Sequence, residues 1–229
     1  MLTFDKMRVD LGDFTLDMSR EVRKGVRVAV MGPSGAGKST LLNVVAGFQE
    51  AQGRLLWEGD DISALPPAER PVSMVFQDNN LFPHLTAFQN VGLGISSGLK
   101  LSEADRIHER EALARVGLEG LEDRKTAALS GGRQSRVALA RMLLRKTPLV
   151  LLDEPFAALG PAMRVEMLRL VKDLVSESGA TLLMVTHDPE DARLIAEHCV
   201  LVAQGRVEAP VEVDAFMADP PAAMRAYLG

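Results

Sequence analysis

Short runs of consecutive apolar residues alternate along this chain with segments in which apolar residues recur every three or four positions. The unbroken runs predict buried strands, because a strand covered on both faces shows no polar side. They are Val28–Met31, Val72–Phe76, Leu149–Leu152, Thr181–Val185 and Cys199–Ala203, in which Ser73 and Thr181 are the polar exceptions. The spaced segments predict helices after Lys38, over Asp191–His198, and over Arg164–Val175 with Val165, Leu168, Val171, Leu174 and Val175 on one face. Strands that alternate with helices predict an α/β fold with a mainly parallel core sheet.

Two parts of the chain depart from this alternation, and the first of them consists of two segments. Residues 1–27 carry short alternating stretches at Thr3-Phe4 and Phe14–Met18, and residues 53–62 predict another strand that turns at Gly59-Asp60-Asp61. We therefore expect an N-terminal antiparallel β subdomain.

The second part is residues 78–148, which are predicted to be mostly helical. Ser102 and Asp105 have the spacing of a capping box, and the helix that follows shows an apolar face at Ile107, Leu113, Val116 and Leu118. The chain is then a single domain, 1–229. In it, 1–77 and 149–229 form the core with its β subdomain, and 78–148 form an inserted helical subdomain.

Composition narrows the class of protein. A hydrophobic content of 47% over 229 residues excludes a disordered chain. The 31 acidic and 26 basic residues give a net charge of −5, which disfavours nucleic acid as a partner. The one cysteine, Cys199, lies in an apolar stretch and predicts a buried structural thiol in a reducing cytoplasm. Met1–Lys6 lacks the features of an export signal, and no apolar run approaches the roughly 18 residues of a membrane span, so we expect any membrane role to act through a partner protein.

The stretch from Gly32 to Thr40 indicates the chemistry. It follows a predicted strand, opens a predicted helix, and matches the spacing G-x-x-x-x-G-K-[ST]. Backbone N–H groups of such a loop, together with the helix N-terminus, bind nucleotide phosphates. Lys38 then reaches the β- and γ-phosphates, and the Ser39 hydroxyl binds Mg²⁺. The predicted phosphate-binding residues are Gly32, Pro33, Ser34, Gly35, Ala36, Gly37, Lys38, Ser39 and Thr40.

Polar residues also follow three other predicted strands, at Gln77, Asp153-Glu154 and His187. Ligands of parallel sheets bind outside the carboxyl ends of the strands, so these residues should converge on the nucleotide. Asp153 is the predicted Mg²⁺ ligand, Glu154 the predicted base that accepts a proton from the attacking water, and His187 a hydrogen-bond partner of the γ-phosphate and that water. His84, His108 and His198 lack such a setting, and we interpret them as structural or surface residues.

A second glycine-rich helix start precedes the strand with Asp153. Leu129-Ser130-Gly131-Gly132-Arg133-Gln134-Ser135-Arg136 resembles the signature motif of ATP-binding-cassette (ABC) ATPases. With the loop at Gly32, Gln77, Asp153-Glu154 and His187 in family order, the resemblance covers nearly the whole chain. It implies a P-loop NTPase cassette that hydrolyses ATP with Mg²⁺, in which Gln77 is a further Mg²⁺ ligand. It also implies a head-to-tail homodimer, in which Ser130, Gly131 and Gly132 of one subunit cap the ATP held by the other.

The segment Pro71–Val91 is similar to the importer branch of this family, and its Asn79-Asn80 pair most resembles ATPase subunits of thiamine importers. That resemblance implies transmembrane permease subunits as partners, a solute-binding protein indirectly, and a peripheral position on the cytoplasmic face of the membrane. An importer for iron, sulfate or polyamines, an exporter ATPase and a non-transport ABC ATPase stay open as alternatives. A nucleotide kinase would have no use for Gln77 or for the signature motif.

Three features depart from the family pattern. Gly160 stands where the family usually has an aspartate, in a loop that reaches the partner's phosphate loop. Arg133-Gln134-Ser135 replaces a glutamine-rich tail of the signature motif, and no tyrosine precedes the phosphate loop to stack on adenine. Phe14 is the nearest aromatic substitute, and a role in the core of a strand is the alternative for it.

Overall fold

The structure is a computed structural model that describes residues 1–228. The chain divides into two compact units. The first contains Met1–Val72, Pro148–Asp153 and the chain from Gly179 onward, and the second contains Ser73–Thr147 and Glu154–Ser178. Among the described residues, no helix combines the length and the apolar character needed to cross a bilayer.

The strands, in chain order, are β1 (Leu2–Asp10), β2 (Thr15–Met18), β3 (Glu21–Val22), β4 (Arg27–Met31), β5 (Gln52–Trp57), β6 (Asp60–Asp61), β7 (Val72–Val75), β8 (Leu149–Asp153), β9 (Thr181–Val185), β10 (His198–Ala203), β11 (Arg206–Val207) and β12 (Val211–Glu212). The helices are α1 (Lys38–Ala46), α2 (Ala87–Gly92), α3 (Glu103–Arg115), α4 (Gly131–Arg145), α5 (Pro161–Ser178), α6 (Pro189–Ile195), α7 (Val213–Ala218) and α8 (Ala222–Leu228), and a 3₁₀ turn spans Thr126–Ala128.

Parallel strands in the order β10, β4, β9 and β8 form the core of the first unit. Val30 of β4 lies opposite both Val200 and Val185, and Leu151 of β8 lies opposite Leu183. Nearly all residues of these strands are buried, as expected for a sheet covered on both faces. The predicted parallel core is confirmed, and the carboxyl ends of β4, β8 and β9 lie side by side.

The antiparallel part of the sheet is built on β1, which pairs with β2, β3 and β5. β11 connects this part to the core because it pairs with both β2 and β10. The predicted antiparallel strands are confirmed, but the predicted turn at Gly59-Asp60-Asp61 is wrong. Glu58 and Gly59 form that turn, with φ of 52° and 96°, and both aspartates pair with β5 as strand β6. Positive φ at both central residues is the type I′ geometry that suits a two-residue hairpin.

The far end of α1 is held by a buried arginine that the sequence pattern did not indicate. Arg70 donates from Nη1 to the carbonyl oxygens of Val44 and Val45, at 2.6 and 3.0 Å, in the last turn of the helix. Its Nε and Nη2 donate to the carbonyl oxygens of Leu65 and Ser63, at 2.9 and 2.7 Å. One guanidinium group thus satisfies carbonyl oxygens at the end of α1 and also anchors the loop that contains Ser63 and Leu65.

In the second unit, capping boxes begin two helices: Thr86 with Gln89 at α2, and Ser102 with Asp105 at α3. The second of these confirms the prediction from the sequence. Leu113, Val116 and Leu118 are buried as predicted, but Ile107 is 48% exposed and the prediction for it is wrong. The buried face of α3 contains Glu109, and a residue two positions earlier lies about 200° away round the helix.

α5 belongs to the second unit, where it packs against α4. The sequence predicts a helical subdomain over 78–148 only, whereas this unit covers 73–147 and also 154–178. Within α5, Leu168, Val171, Leu174 and Val175 are buried, but Val165 is 39% exposed, so the predicted apolar face begins later in the helix.

Near the end of the chain, α6 stops at Ile195 and His198 is the first residue of β10, so the helix predicted to reach His198 is too long. Cys199 follows in the same strand and is fully buried, as predicted. Burial raises the pKa of its thiol to about 12, which makes it inert at neutral pH.

The core of the helical unit contains a carboxyl group. Glu109 is fully buried, and neither of its carboxyl oxygens has a hydrogen-bond partner among the described residues. Its Oε1 lies so close to Gly92, at the end of α2, that a Cβ on that glycine would collide with it. Burial raises the pKa of Glu109 to about 7, although Arg106 and Arg110 act in the opposite direction.

We predict that this group makes folding less stable as pH rises. Between the ordinary glutamate pKa of 4.5 and its folded value of about 7, Glu109 keeps its proton in the folded state and loses it in the unfolded state. Glu109→Gln keeps the shape of the side chain and removes its charge. The free energy of unfolding of this variant, minus that of wild type, should therefore increase by about 1–3 kcal/mol when the pH is raised from 5 to 8. Urea unfolding at both pH values measures this. Glu111→Gln, an exposed change on the same helix, is the control, and equal pH dependence in the two variants would contradict the prediction.

Candidate functional site

The loop between β4 and α1 begins with a glycine that the fold requires. Gly32 is buried with φ of 151°, and a Cβ at this position would collide with the carbonyl oxygen of Val202 in β10. Only glycine combines that backbone angle with so close an approach of two strands. The loop therefore starts directly at the carboxyl edge of the parallel sheet.

The same loop ends at Gly37, the N-cap of α1, with φ of 101° and no side-chain hydrogen bond to the first helical turn. No side chain therefore caps the start of α1, a feature that anion sites at helix N-termini share. The ring of Phe14 lies against this glycine, since a Cβ there would be 2.5 Å from Cζ of Phe14. Phe14 precedes β2 and packs on the loop, and its stacking on adenine stays a prediction.

Lys38 is buried, and its side chain curls back over the loop. Its Nζ donates to the carbonyl oxygens of Gly32 and Pro33, each at 2.8 Å. These two hydrogen bonds hold the ammonium group within the curve of the loop.

Ser39 and Asp153, predicted as metal ligands from distant parts of the sequence, meet in the first unit. Ser39 Oγ donates to Asp153 Oδ1 at 3.1 Å, at the point where the start of α1 lies beside the end of β8. A hydroxyl and a carboxylate are the hard oxygen donors that Mg²⁺ prefers, so the pair fits this ion.

The loop with His187 lies at the same edge of the sheet, because Val185 at the end of β9 is opposite Asp153. Thr186 Oγ1 donates to Asp191 Oδ2 at 3.2 Å and accepts from the backbone N–H of Asp188 at 3.1 Å. Asp188 Oδ1 in turn accepts from the N–H of Glu190 at 2.9 Å and caps α6. His187 thus sits in a turn held by polar side chains on both sides. The sequence pattern did not assign a role to Thr186 or Asp191.

In the second unit, Glu154 and Gln77 each lie in a tight turn. Glu154 directly follows β8 and has a left-handed φ of 43°, a strained conformation for a residue with a side chain. Gln77 is exposed and lies in a turn that is closed by a hydrogen bond of 2.9 Å from the N–H of Asn79 to the carbonyl oxygen of Phe76.

The predicted helix start at Ser130 is confirmed, because Ser130 is the N-cap of α4. Its side chain makes no capping hydrogen bond, and both Ser130 and Gly131 are exposed. Gly132 is buried, and Met163 Sδ of α5 occupies the place that a Cβ would need. Gln134 Nε2 donates to the carbonyl oxygens of Thr126 and Leu129, both at 3.1 Å. These hydrogen bonds hold the segment before α4 against the first turns of that helix.

Comparison with known proteins identifies relatives over the full length. Residues 16–157 match the ABC transporter family model. The chain is 58% identical to the thiamine import ATP-binding protein ThiQ of Cereibacter sphaeroides, with 100% of both chains covered. It is 54% identical to the protein of the same name from a Ruegeria species, again with both chains fully covered.

Solved structures share the architecture. A nucleotide-free ATP-binding cassette from an ABC transporter superimposes with a TM-score of 0.87 and 26% identity, over 100% of this chain and 99% of that one. The cassette MJ0796, in a dimeric post-hydrolysis state bound to ADP and phosphate, gives a TM-score of 0.80 and 31% identity, over 93% of this chain and 99% of that one. The cassette fold predicted from the sequence is therefore confirmed. This chain belongs to the ABC transporter family, as one of its ATP-binding subunits with ATPase activity.

Proposed function

We propose that this chain is the ATP-hydrolysing subunit of an importer that carries thiamine or its phosphates across the cytoplasmic membrane. The observation that carries the solute assignment is the 58% identity, over both full lengths, to a thiamine import ATP-binding protein. The Asn79-Asn80 pair after Gln77 is a second reason in the sequence itself. Other subunits would recognise the solute, and this chain would supply the chemistry of ATP.

In this proposal, the loop Gly32–Thr40 binds the phosphates of ATP through its backbone N–H groups and the start of α1. Lys38 places its charge beside the β- and γ-phosphates, and Ser39, Asp153 and Gln77 hold Mg²⁺. The hydrogen bond of 3.1 Å between Ser39 and Asp153 supports this assignment. When bound, Mg²⁺ would neutralise negative charge on the phosphate oxygens during transfer.

The hydrolytic step needs a base and a group that orients water. Glu154, directly after Asp153 in the chain, would accept a proton as the water oxygen bonds to the γ-phosphorus and the bond to the β-phosphate oxygen breaks. His187 would hydrogen-bond a γ-phosphate oxygen and the attacking water, and so orient that water. ADP and inorganic phosphate are the products.

The proposal includes a head-to-tail homodimer, because α4 offers a second helix start suited to an anion. Ser130 and Gly131 are exposed there and no side chain caps the helix, while the phosphate loop already serves the chain's own nucleotide. Ser130–Gly132 would therefore cap ATP bound to the partner. Supporting this, the similar cassette MJ0796 was solved as a dimer with ADP and phosphate. Closure of the dimer would act on permease subunits, with this chain peripheral on the cytoplasmic face.

Uptake by the reconstituted complex tests the solute assignment. We would purify the chain with its permease subunits, place the complex in liposomes, and supply the solute-binding protein outside and ATP inside. Thiamine is expected to be imported and to stimulate ATP hydrolysis, whereas iron, sulfate and polyamines should do neither. Stimulation by one of those solutes and not by thiamine would overturn the thiamine assignment and leave the ATPase assignment intact.

For the base, we predict that Glu154→Gln lowers kcat for ATP hydrolysis by about 10²–10⁴-fold, because the amide cannot accept the proton. ATP binding should persist, and light scattering should then detect a stable dimer with ATP and Mg²⁺. Glu119→Gln, an exposed change in the same unit, controls for loss of one charge. A Glu154→Gln protein with near wild-type turnover would remove the proposed base.

At Gly160, we predict that aspartate increases cooperativity between the two ATP sites, because the resemblance puts a carboxylate here next to the partner's phosphate loop. The position accepts a side chain: its φ is not left-handed, and a Cβ would meet nothing within 4 Å. The Hill coefficient for ATP should rise in Gly160→Asp and stay unchanged in Gly160→Ala, which adds a side chain without charge. The same Hill coefficient in both variants would contradict the prediction.

A further inference from the structure

An arginine in the middle of α4 binds the turn that follows Gln77. Arg141 donates from Nη1 to the carbonyl oxygen of Asn80 at 2.8 Å and from Nη2 to that of Asn79 at 3.0 Å. Burial lowers the pKa of Arg141, but a guanidinium pKa is so high that the group stays charged at neutral pH. Two charge-assisted hydrogen bonds to adjacent carbonyls fix both the position and the direction of the backbone there.

The backbone that Arg141 binds is strained. Asn79 and Asn80 are consecutive residues in the left-handed region, with φ of 60° and 45°. Asparagine tolerates this region better than most residues, but such conformations persist only where the surroundings determine them. The Asn79 side chain does not secure the turn, because its Oδ1 is buried without a hydrogen-bond partner among the described residues.

The turn itself contains Gln77. The hydrogen bond from the N–H of Asn79 to the carbonyl oxygen of Phe76 encloses Gln77 and Asp78, and Asp78 Oδ1 accepts from the N–H of Asn80 at 3.2 Å. Strand β7 ends at Val75, two residues before Gln77, and Arg141 holds the backbone of Asn79 and Asn80 just after it. The hydrogen bond that closes the turn and the contacts of Arg141 therefore constrain the backbone around Gln77.

We infer that Arg141 is a positioning residue for Gln77, which links α4 to the predicted Mg²⁺ ligand. The same helix begins with the signature segment at Gly131. One rigid helix therefore contains both the signature segment and the arginine that holds the turn with Gln77. This inference rests on the proposed Mg²⁺ role of Gln77. A lysine at position 141 cannot replace the arginine, because a single ammonium lacks the planar fork that reaches two adjacent carbonyls.

The test is the Mg²⁺ dependence of ATP hydrolysis by the full chain, measured at one saturating ATP concentration so that formation of Mg–ATP in solution is the same for all variants. Arg141→Lys and Arg141→Gln should raise the Mg²⁺ concentration for half-maximal rate by about tenfold, as for the loss of groups that orient a metal ligand. ATP binding without Mg²⁺ should not change. A purely structural role would lower the melting temperature and leave the Mg²⁺ midpoint unchanged. Arg145→Gln, which removes a cation one turn further along α4, is the matched control and should show no shift.

A second pair of variants tests the turn without changing α4. Asn80 is exposed, so Asn80→Val should fold, but valine disfavours the left-handed region and should shift the Mg²⁺ midpoint in the same direction. Asn80→Gly accepts the conformation and should behave like wild type. This pair decides the matter if the Arg141 variants do not fold, and equal midpoints for Val and Gly would then overturn the inference.

Gln77→Ala separates the two ways in which the inference can fail. If Gln77→Ala shifts the Mg²⁺ midpoint and the folded Arg141 variants do not, Arg141 does not position Gln77. If Gln77→Ala itself causes no shift, the proposed Mg²⁺ role of Gln77 is wrong, and the inference falls with it.

Discussion

The phosphate loop begins at the carboxyl edge of the parallel sheet because Gly32 brings its backbone against the carbonyl oxygen of Val202, where no Cβ has room. This contact sets where the chain leaves β4 and hence where α1 begins. Parallel pairing then aligns the ends of β4, β9 and β8, so Ser39 at the start of the helix meets Asp153 at the end of β8. A larger residue at position 32 would move the loop away from the sheet, and the paired oxygens with it.

Two turns next to proposed ligand residues contain residues in the left-handed region, which is uncommon for any residue other than glycine. Glu154, Asn79 and Asn80 are all left-handed. Strain of this kind persists where surrounding contacts determine the conformation, and for the two asparagines those contacts include the hydrogen bonds from Arg141. Helix α4 therefore has two roles in the helical unit. It holds a strained turn through Arg141, and the signature segment lies at its start.

The chemistry of this chain and the identity of the transported solute have different physical origins. In the proposed function, phosphate binding would depend on the backbone N–H groups of the loop Gly32–Thr40, on Lys38, and on the oxygen atoms of Ser39 and Asp153. Solute selection depends on complementary groups that contact the solute, and those would belong to other subunits.

The sequence by itself determined what depends on short-range patterns. The sequence predicted the buried strands, the glycine-rich loop between β4 and α1, the capping box of Ser102 with Asp105, and the helix start at Ser130. Each of these depends on neighbouring residue types. Only the tertiary structure decided the contacts of Arg70 and Arg141. Both bind backbone carbonyls, which every residue possesses and which leave no mark in a sequence. It also decided that Ile107 faces outward while Glu109 is buried against Gly92, because the apolar spacing of an amphipathic helix does not show which neighbours will cover it.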